Sequence, residues 1–263
     1  MKETVYFIEK RGEQFIFHWL FYMIAGLYDV KDKEKPIKFS LEIGGYPVQY
    51  ETFELLKPDF EYIQDITGYN IEHLPGAHFK PNSIDCVHDH YYNFIREQIL
   101  IKNNLTINSP PFRYIYISRN NSHELKCNNG LKKRQIVNEN EVYNNILKKY
   151  NFEFIYLEKL SFKEKIKLFQ EAKCIVTPNG GALTFSAFAN ENTQIIEIHS
   201  NRIKNADQHY NIAKVLGIKI ERYTNVEFIS DRNYGEGQAE CWIEFAMKIN
   251  DLNDFENFII KYI

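Results

Sequence analysis

The stretch Cys174-Ile-Val-Thr-Pro-Asn-Gly-Gly-Ala-Leu183 does most to restrict what this chain can fold into. A short apolar run that stops at a proline, turns through two glycines and re-enters an apolar segment reads as a buried strand feeding a helix. Such a turn leaves backbone N–H groups without intrahelical partners at a helix N-terminus, where phosphate oxygens can be held. Two other runs have the same character. Arg113-Tyr-Ile-Tyr-Ile-Ser-Arg119 precedes it, and Gln194-Ile-Ile-Glu-Ile-His199 follows it. Together they predict an α/β domain with polar residues at the ends of its strands.

The second half of the chain alternates strand and helix patterns. Strands are predicted at about 112–118, 152–157, 173–177, 194–198 and 218–223. Helices are predicted at about 139–150, at 162–171 behind the capping box Ser161-Phe-Lys-Glu164, at 181–189 and at 207–216 before Gly217. That alternation predicts a doubly wound parallel sheet with helices on both faces. In the first half, Val5–Ile8 and Ile37–Ile43 read as strands, and 17–28 and 89–101 as helices, a smaller α/β domain. The polar stretch Lys102–Pro111, which ends in two prolines, separates the two rhythms. The expected division is therefore 1–107, 108–250 and a C-terminal amphipathic helix, 251–263, that crosses back to pack on the first domain.

Composition narrows the function classes. The chain has 263 residues, 44% hydrophobic, with a formal charge of −3, which gives no electrostatic case for nucleic acid. No apolar run is long enough for a transmembrane helix, and the N-terminus lacks a signal-peptide core. Four cysteines, Cys86, Cys127, Cys174 and Cys241, show no Cys-x-x-Cys spacing and read as free thiols of a reducing compartment. The expected location is the cytoplasm.

Ligands of open parallel sheets sit outside the carboxyl ends of the strands. Three such ends carry useful groups here. Ser118 and Arg119 close one strand, and a guanidinium can fork onto a phosphate. Pro178, Asn179, Gly180, Gly181, Ala182 and Leu183 form the turn. Glu197 could accept hydrogen bonds from ribose hydroxyls. Each group also has an ordinary structural use: a surface ion pair for the arginine, a packing device for the Gly-Gly turn, a buried structural carboxylate for Glu197. The order in which they fall along one sheet favours nucleotide binding. In the first half, His18 opens an apolar helix; it is either a packed core residue or a general base for chemistry near neutral pH. Cys86-Val-His88-Asp89-His90 does not have structural-zinc spacing, and no metal site is expected.

These residues resemble glycosyltransferase family 61. Tyr116-Ile-Ser-Arg119 is similar to the family's Tyr-x-Ser-Arg strand end, and Arg134-Gln-Ile-Val-Asn-Glu139 to its Arg before an Asn-Glu pair. Leu160-Ser-Phe162 through Ala172 is similar to its leucine-rich stretch. Pro178-Asn-Gly-Gly-Ala-Leu183 resembles its Pro-His-Gly-Ala-Gly-Leu turn, and Glu197-Ile198 its Glu-Ile strand end. Upstream, His18-Trp19 and Arg96-Glu97 are similar to a His-Trp helix start and a helical Arg-Glu. The turn histidine of the family is Asn179 here, and a family asparagine is Phe185.

The resemblance implies two Rossmann-like domains in a GT-B-like arrangement and an inverting transfer from a nucleoside-diphosphate sugar, UDP-sugar favoured, to a hydroxyl of a glycan or protein. It implies a compact bacterial or large-virus member. His18 would be the base, and Arg119, Arg134 and the turn amides would hold the donor. No two aspartates stand two apart, so the Asp-x-Asp device for a divalent cation is absent, and no cofactor is expected. The partners implied are the donor and the acceptor, with no nucleic acid and no membrane span, and a homodimer is left open. Asn179 and Phe185 keep a second reading in play: a nucleotide-sugar or glycan-binding protein without catalysis.

Overall fold

The computed structural model describes residues 2–9, 16–74, 89–120, 134–204, 207–230, 239–240 and 245–263. Cys86, Cys127, Cys241, His88 and the basic pair Lys132-Lys133 lie outside the described residues. The chain divides into two compact units, Met1–Thr106 and Ile107–Ile263.

Unit 1 is built on four parallel strands, β1 (Thr4–Ile8), β2 (Ile37–Leu41), β3 (Phe60–Tyr62) and β4 (Asn70–Leu74), in the order β3-β2-β1-β4. Between β1 and β2 the chain is helical in three contiguous pieces. A short α-turn, α1 (Ile16–His18), runs into a π-helical turn, Trp19–Met23, and a 3₁₀ segment, Ile24–Val30. Trp19, Leu20, Phe21, Met23, Ile24, Ala25 and Leu27 are fully buried. A segment apolar on every side has no solvated face, which is why its sequence lacks a clean helical stripe. Helix α2 (Pro47–Leu56) opens with Pro47, whose missing N–H costs nothing at that position. Helix α3 (Asp89–Ile95) continues as a π-helical stretch, Arg96–Ile101. The sequence pattern missed α2, β3 and β4. All are short, and β4 is mostly solvent-exposed, so it carries little apolar periodicity.

Unit 2 contains β5 (Arg113–Ile117), β6 (Glu153–Ile155), β7 (Ala172–Pro178), β8 (Gln194–Ile198), β9 (Ile203–Lys204), β10 (Lys219–Tyr223), β11 (Glu227–Ile229), β12 (Ala239–Glu240) and β13 (Ala246–Lys248). Five of them form one parallel sheet in the order β10-β8-β7-β5-β6, and the other four pair off as β11-β13 and β12-β9. The connecting helices are α4 (Glu139–Asn145), α5 (Phe162–Glu171), a 3₁₀ helix at Gly181–Phe188, and α6 (Gln208–Val215). Ser161 caps α5 as expected: its Oγ accepts from the Glu164 amide, and the Glu164 carboxylate accepts from the Ser161 amide at 2.7 Å.

One face of this sheet presents Tyr116, Cys174, Val176, Ile196 and Ile198 to a core shared with Val142 and Ile146 near α4 and with Phe255 and Ile259 of α7 (Leu252–Ile260). The pleat turns Ile115, Ile175 and Ile195 to the other face. Phe162 and Phe169 of α5 contact Phe185 of the 3₁₀ helix. The C-terminal helix does not follow the expectation that 251–263 returns to the first domain. Tyr223 at the end of β10 meets Phe255 and Phe258 at ring distances of 4.9 and 5.3 Å, so α7 is a layer of unit 2. Its apolar stripe is satisfied by the nearest uncovered sheet face. The predicted helix at 139–150 breaks at Ile146 into α4 and a 3₁₀ turn, Leu147–Tyr150.

Candidate functional site at the carboxyl ends of the unit 2 sheet

Counted along the chain, the five-stranded sheet winds outward in one direction from β5 to β6, and in the other from β7 through β8 to β10. The winding reverses between β5 and β7. In open parallel sheets the crevice at that reversal, outside the strand carboxyl ends, is where ligands bind. The residues at those two ends are Ser118-Arg119 and Asn179-Gly180.

Arg113 and Arg119 flank β5 and have opposite fates. At the amino end, Arg113 forks onto Glu153 at 2.7 and 2.8 Å and onto Glu171 at 2.8 Å, which ties β6 and α5 to β5. At the carboxyl end, Arg119 is buried and its guanidinium rests on Gly180. A Cβ on Gly180 would lie 2.0 Å from Arg119 Nη1 and 2.8 Å from Cζ. Gly180 has φ +151° and ψ −166°, a region of backbone space that side chains essentially exclude. The backbone turn fixes glycine here, and any side chain would also have to push the arginine head group aside.

Beneath the turn lies a network of buried polar groups. Glu197 is fully buried on β8. The parallel register sets it beside Thr177 on β7 and Arg222 on β10. Arg222 Nε donates to one carboxylate oxygen at 2.6 Å and Nη1 donates to Asp207 at 2.5 Å. The Asn179 side-chain amide donates to the other Glu197 oxygen. His199 Nδ1 lies 3.6 Å from that oxygen, a separation longer than a hydrogen bond. Burial alone would raise the Glu197 carboxyl, but His199, Arg222 and Asn179 outweigh it and hold the group below the ordinary glutamate range. With both oxygens engaged and no exposed surface, Glu197 holds Asn179 in place from below. The ribose contact expected of it is not what this arrangement offers.

A second carboxylate does the same for β5. Glu139, at the first turn of α4, accepts from Tyr116 Oη at 2.8 Å, from Ser118 Oγ at 2.9 Å and from the Asn120 side chain. Burial raises its carboxyl above the usual range, although the Ser118 and Tyr116 hydroxyls pull the other way. Ser118, expected to contact a ligand, is thus a buried partner of Glu139.

The turn itself differs from expectation in one respect. Residues 181–188 form a 3₁₀ helix, and the Leu183 amide already donates to the Gly180 carbonyl at 3.0 Å. Leu183 is fully buried, and Pro178 is buried as the last residue of β7, in register with Ile198. Gly181 and Ala182 are the half-exposed members of the turn. Arg134 stands apart from this group along the chain. It has φ +61°, and its amide donates to the Phe245 carbonyl at 2.5 Å, which sets the entry into α4.

His18 belongs to unit 1. It is half-buried, its ring stacked on Tyr22 at 4.8 Å and edge-on to Phe17 at 5.8 Å. Among the described residues no group of three His, Cys, Asp or Glu side chains is arranged to hold a metal ion. Cys174 is buried in β7 with its thiol pushed up to about 12 by burial, so it is a core residue.

The family model for Glycosyltransferase 61 matches residues 16–196, which include His18, Arg119, Arg134 and the glycine turn. The chain belongs to glycosyltransferase family 61. It is therefore a glycosyltransferase by family, with a donor and an acceptor as substrates. No curated protein matches the chain. Among the described residues of this family 61 member, no helix is long and apolar enough to cross a membrane. Sequence reasoning missed Glu139, Arg222, Asp207 and His199. Glu139 carried a signal, an Asn-Glu pair at a helix start. Arg222 carried none, because only the strand register sets it beside Glu197.

Proposed function

We propose that the protein transfers a sugar, with inversion, from a nucleoside-diphosphate sugar to a hydroxyl of a glycan or protein acceptor. The observation that carries this reading is the packing of Arg119 on Gly180 at the winding reversal of the unit 2 sheet. The diphosphate would lie over that turn. The Gly181 and Ala182 amides and the Arg119 and Arg134 guanidiniums would face its oxygens. Glu197 and Glu139 would act through Asn179 and Ser118, by fixing the two strand ends. The two units would adopt a GT-B-like arrangement that brings the acceptor to the donor.

In the transfer step the acceptor oxygen attacks the anomeric carbon. Its proton passes to the His18 imidazole, and the C–O bond to the diphosphate breaks with its electron pair on the leaving oxygen. The growing negative charge there is met by fixed donors, worth several kcal/mol in a site closed to water. Asn179 takes no part in proton movement, since its amide is held on Glu197. The same observation favours a second reading, a chain that binds the donor without catalysis, because the family histidine is missing at this position.

Calorimetry with UDP and GDP, with and without a chelator, tests the donor site. Binding tighter than millimolar that survives the chelator is expected. No binding would overturn the donor reading, and binding lost with the chelator would overturn the metal-free part. A time course of sugar release from UDP-sugars, with and without acceptor, separates transfer from binding alone.

A further inference from the structure

Unit 1 contains a groove that the proposed donor site does not use. It has a volume of about 440 Å³ and lies between α2 and β3, at the open edge of the four-stranded sheet. Its floor is aromatic. Tyr62 stacks on Phe53 with ring centres 4.2 Å apart and planes at 12°. Tyr50 meets Phe53 edge-on at 6.3 Å and 87°, and half of its surface, 51%, is exposed. Glu51, Glu54 and Glu61 line the groove with these rings, and the one lysine present, Lys57, is bonded to Glu54 at 2.9 Å.

Tyr50 leaves an aromatic surface accessible at the mouth of the groove. Carboxylates interleaved with aromatic faces match the two surfaces of a sugar ring: an apolar face of C–H groups, and an edge of hydroxyls that need acceptors. A protonated amine would also suit rings and carboxylates, but a cavity of this size is far larger than an ammonium group needs. A larger cavity of about 610 Å³, at the amino ends of β1 and β2, is lined by Lys33, Lys35 and Lys38. Two of its amines are already paired, Lys38 with Glu3 at 2.6 Å and Lys35 with Asp59 at 2.7 Å, so it offers no comparable set.

We propose that the groove between α2 and β3 is a carbohydrate subsite. It stacks a ring of a glycan acceptor on Tyr50 and Tyr62 and takes the ring's hydroxyls on Glu51 and Glu61, with Glu54 held by Lys57 beside them. The subsite lies at the sheet edge, on α2 and β3, and shares no residue with the proposed donor site or with His18, so it holds a part of the acceptor other than the reacting hydroxyl. The proposal rests on the reading that the acceptor is a glycan, and binding energy from such contacts serves to position the reacting hydroxyl.

The test uses the full chain without nucleotide, with cellohexaose, maltohexaose and chitohexaose as probes, by saturation-transfer NMR and calorimetry. At least one probe should bind, Tyr50→Ala should weaken it at least tenfold, and Tyr50→Phe should retain it. Tyr50 is half-exposed, so the alanine variant should keep its fold, checked by circular dichroism, and its affinity for UDP. Failure of all three probes, or equal binding by wild type and Tyr50→Ala, overturns the subsite. So does capture of an oligolysine peptide in place of the saccharides. UDP binding is read separately, so loss of the donor reading and loss of this one are distinguishable.

Discussion

The guanidinium of Arg119 occupies the space that a side chain at residue 180 would need: Nη1 is 2.0 Å from the position of a Gly180 Cβ. The two residues close neighbouring strands, β5 and β7, which pair in parallel. Gly180→Ala must therefore displace Arg119 and also strain a backbone at φ +151°, the latter at a cost of about 1–3 kcal/mol. UDP affinity should fall at least tenfold in a protein that still folds, measured by calorimetry. A folded Gly180→Ala protein that binds UDP like wild type would remove Arg119 from the donor site.

Glu197 is expected to matter more for stability than for ligand contact. Glu197→Ala leaves half-buried Arg222 with Asp207 as its carboxylate partner and takes the acceptor from Asn179. Leaving a buried charge uncompensated costs about 3–5 kcal/mol, an upper bound here because Asp207 still pairs with Arg222. Urea denaturation should show a loss of this order, with Glu197→Gln less affected than Glu197→Ala because an acceptor oxygen is kept. A variant of unchanged stability but weakened UDP affinity would restore Glu197 as a direct ribose ligand.

The two buried carboxylates should give opposite pH dependences. The Glu197 carboxyl is held below its unfolded range, so the unfolded chain takes up that proton first as pH falls. Its contribution is complete above the ordinary glutamate range and is lost in more acid solution. Glu139 is raised, so the folded chain holds its proton to higher pH, and this group costs stability as pH rises through its folded value. Melting temperatures across the acid range should thus fall less steeply for Glu197→Gln than for wild type. For Glu139→Gln the decline of stability with rising pH in the weakly acid range should disappear. Parallel curves for all three proteins would contradict the network.

His18→Ala should lower turnover by about 100-fold or more and leave UDP affinity intact. Loss of the Tyr22 stacking contact will lower stability as well, so turnover is compared at a temperature where both proteins are folded. Near wild-type transfer by folded His18→Ala would end the assignment.

Several elements of unit 2 were legible in the sequence because each is fixed locally. Gln194–Ile198 is a short isoleucine-rich run of β-branched residues, Ser161 and Glu164 form a capping box, and the Pro-Asn-Gly-Gly sequence permits only a turn. The family was legible for the same reason: its motifs are short and ordered along the chain. Other features depended on neighbours that the sequence does not order. The register of three parallel strands sets Glu197 between Asn179 and Arg222 and makes a seeming ligand into a buried support. The uncovered sheet face draws α7 onto unit 2, although its amphipathic pattern would fit any apolar surface. The 3₁₀ form of 181–188 was equally hidden, since apolar periodicity does not distinguish it from an α-helix in so short a buried segment. Sequence determines which segments are apolar and where they must turn; which polar group faces which is decided by strand order and register, because those contacts join residues far apart in the chain.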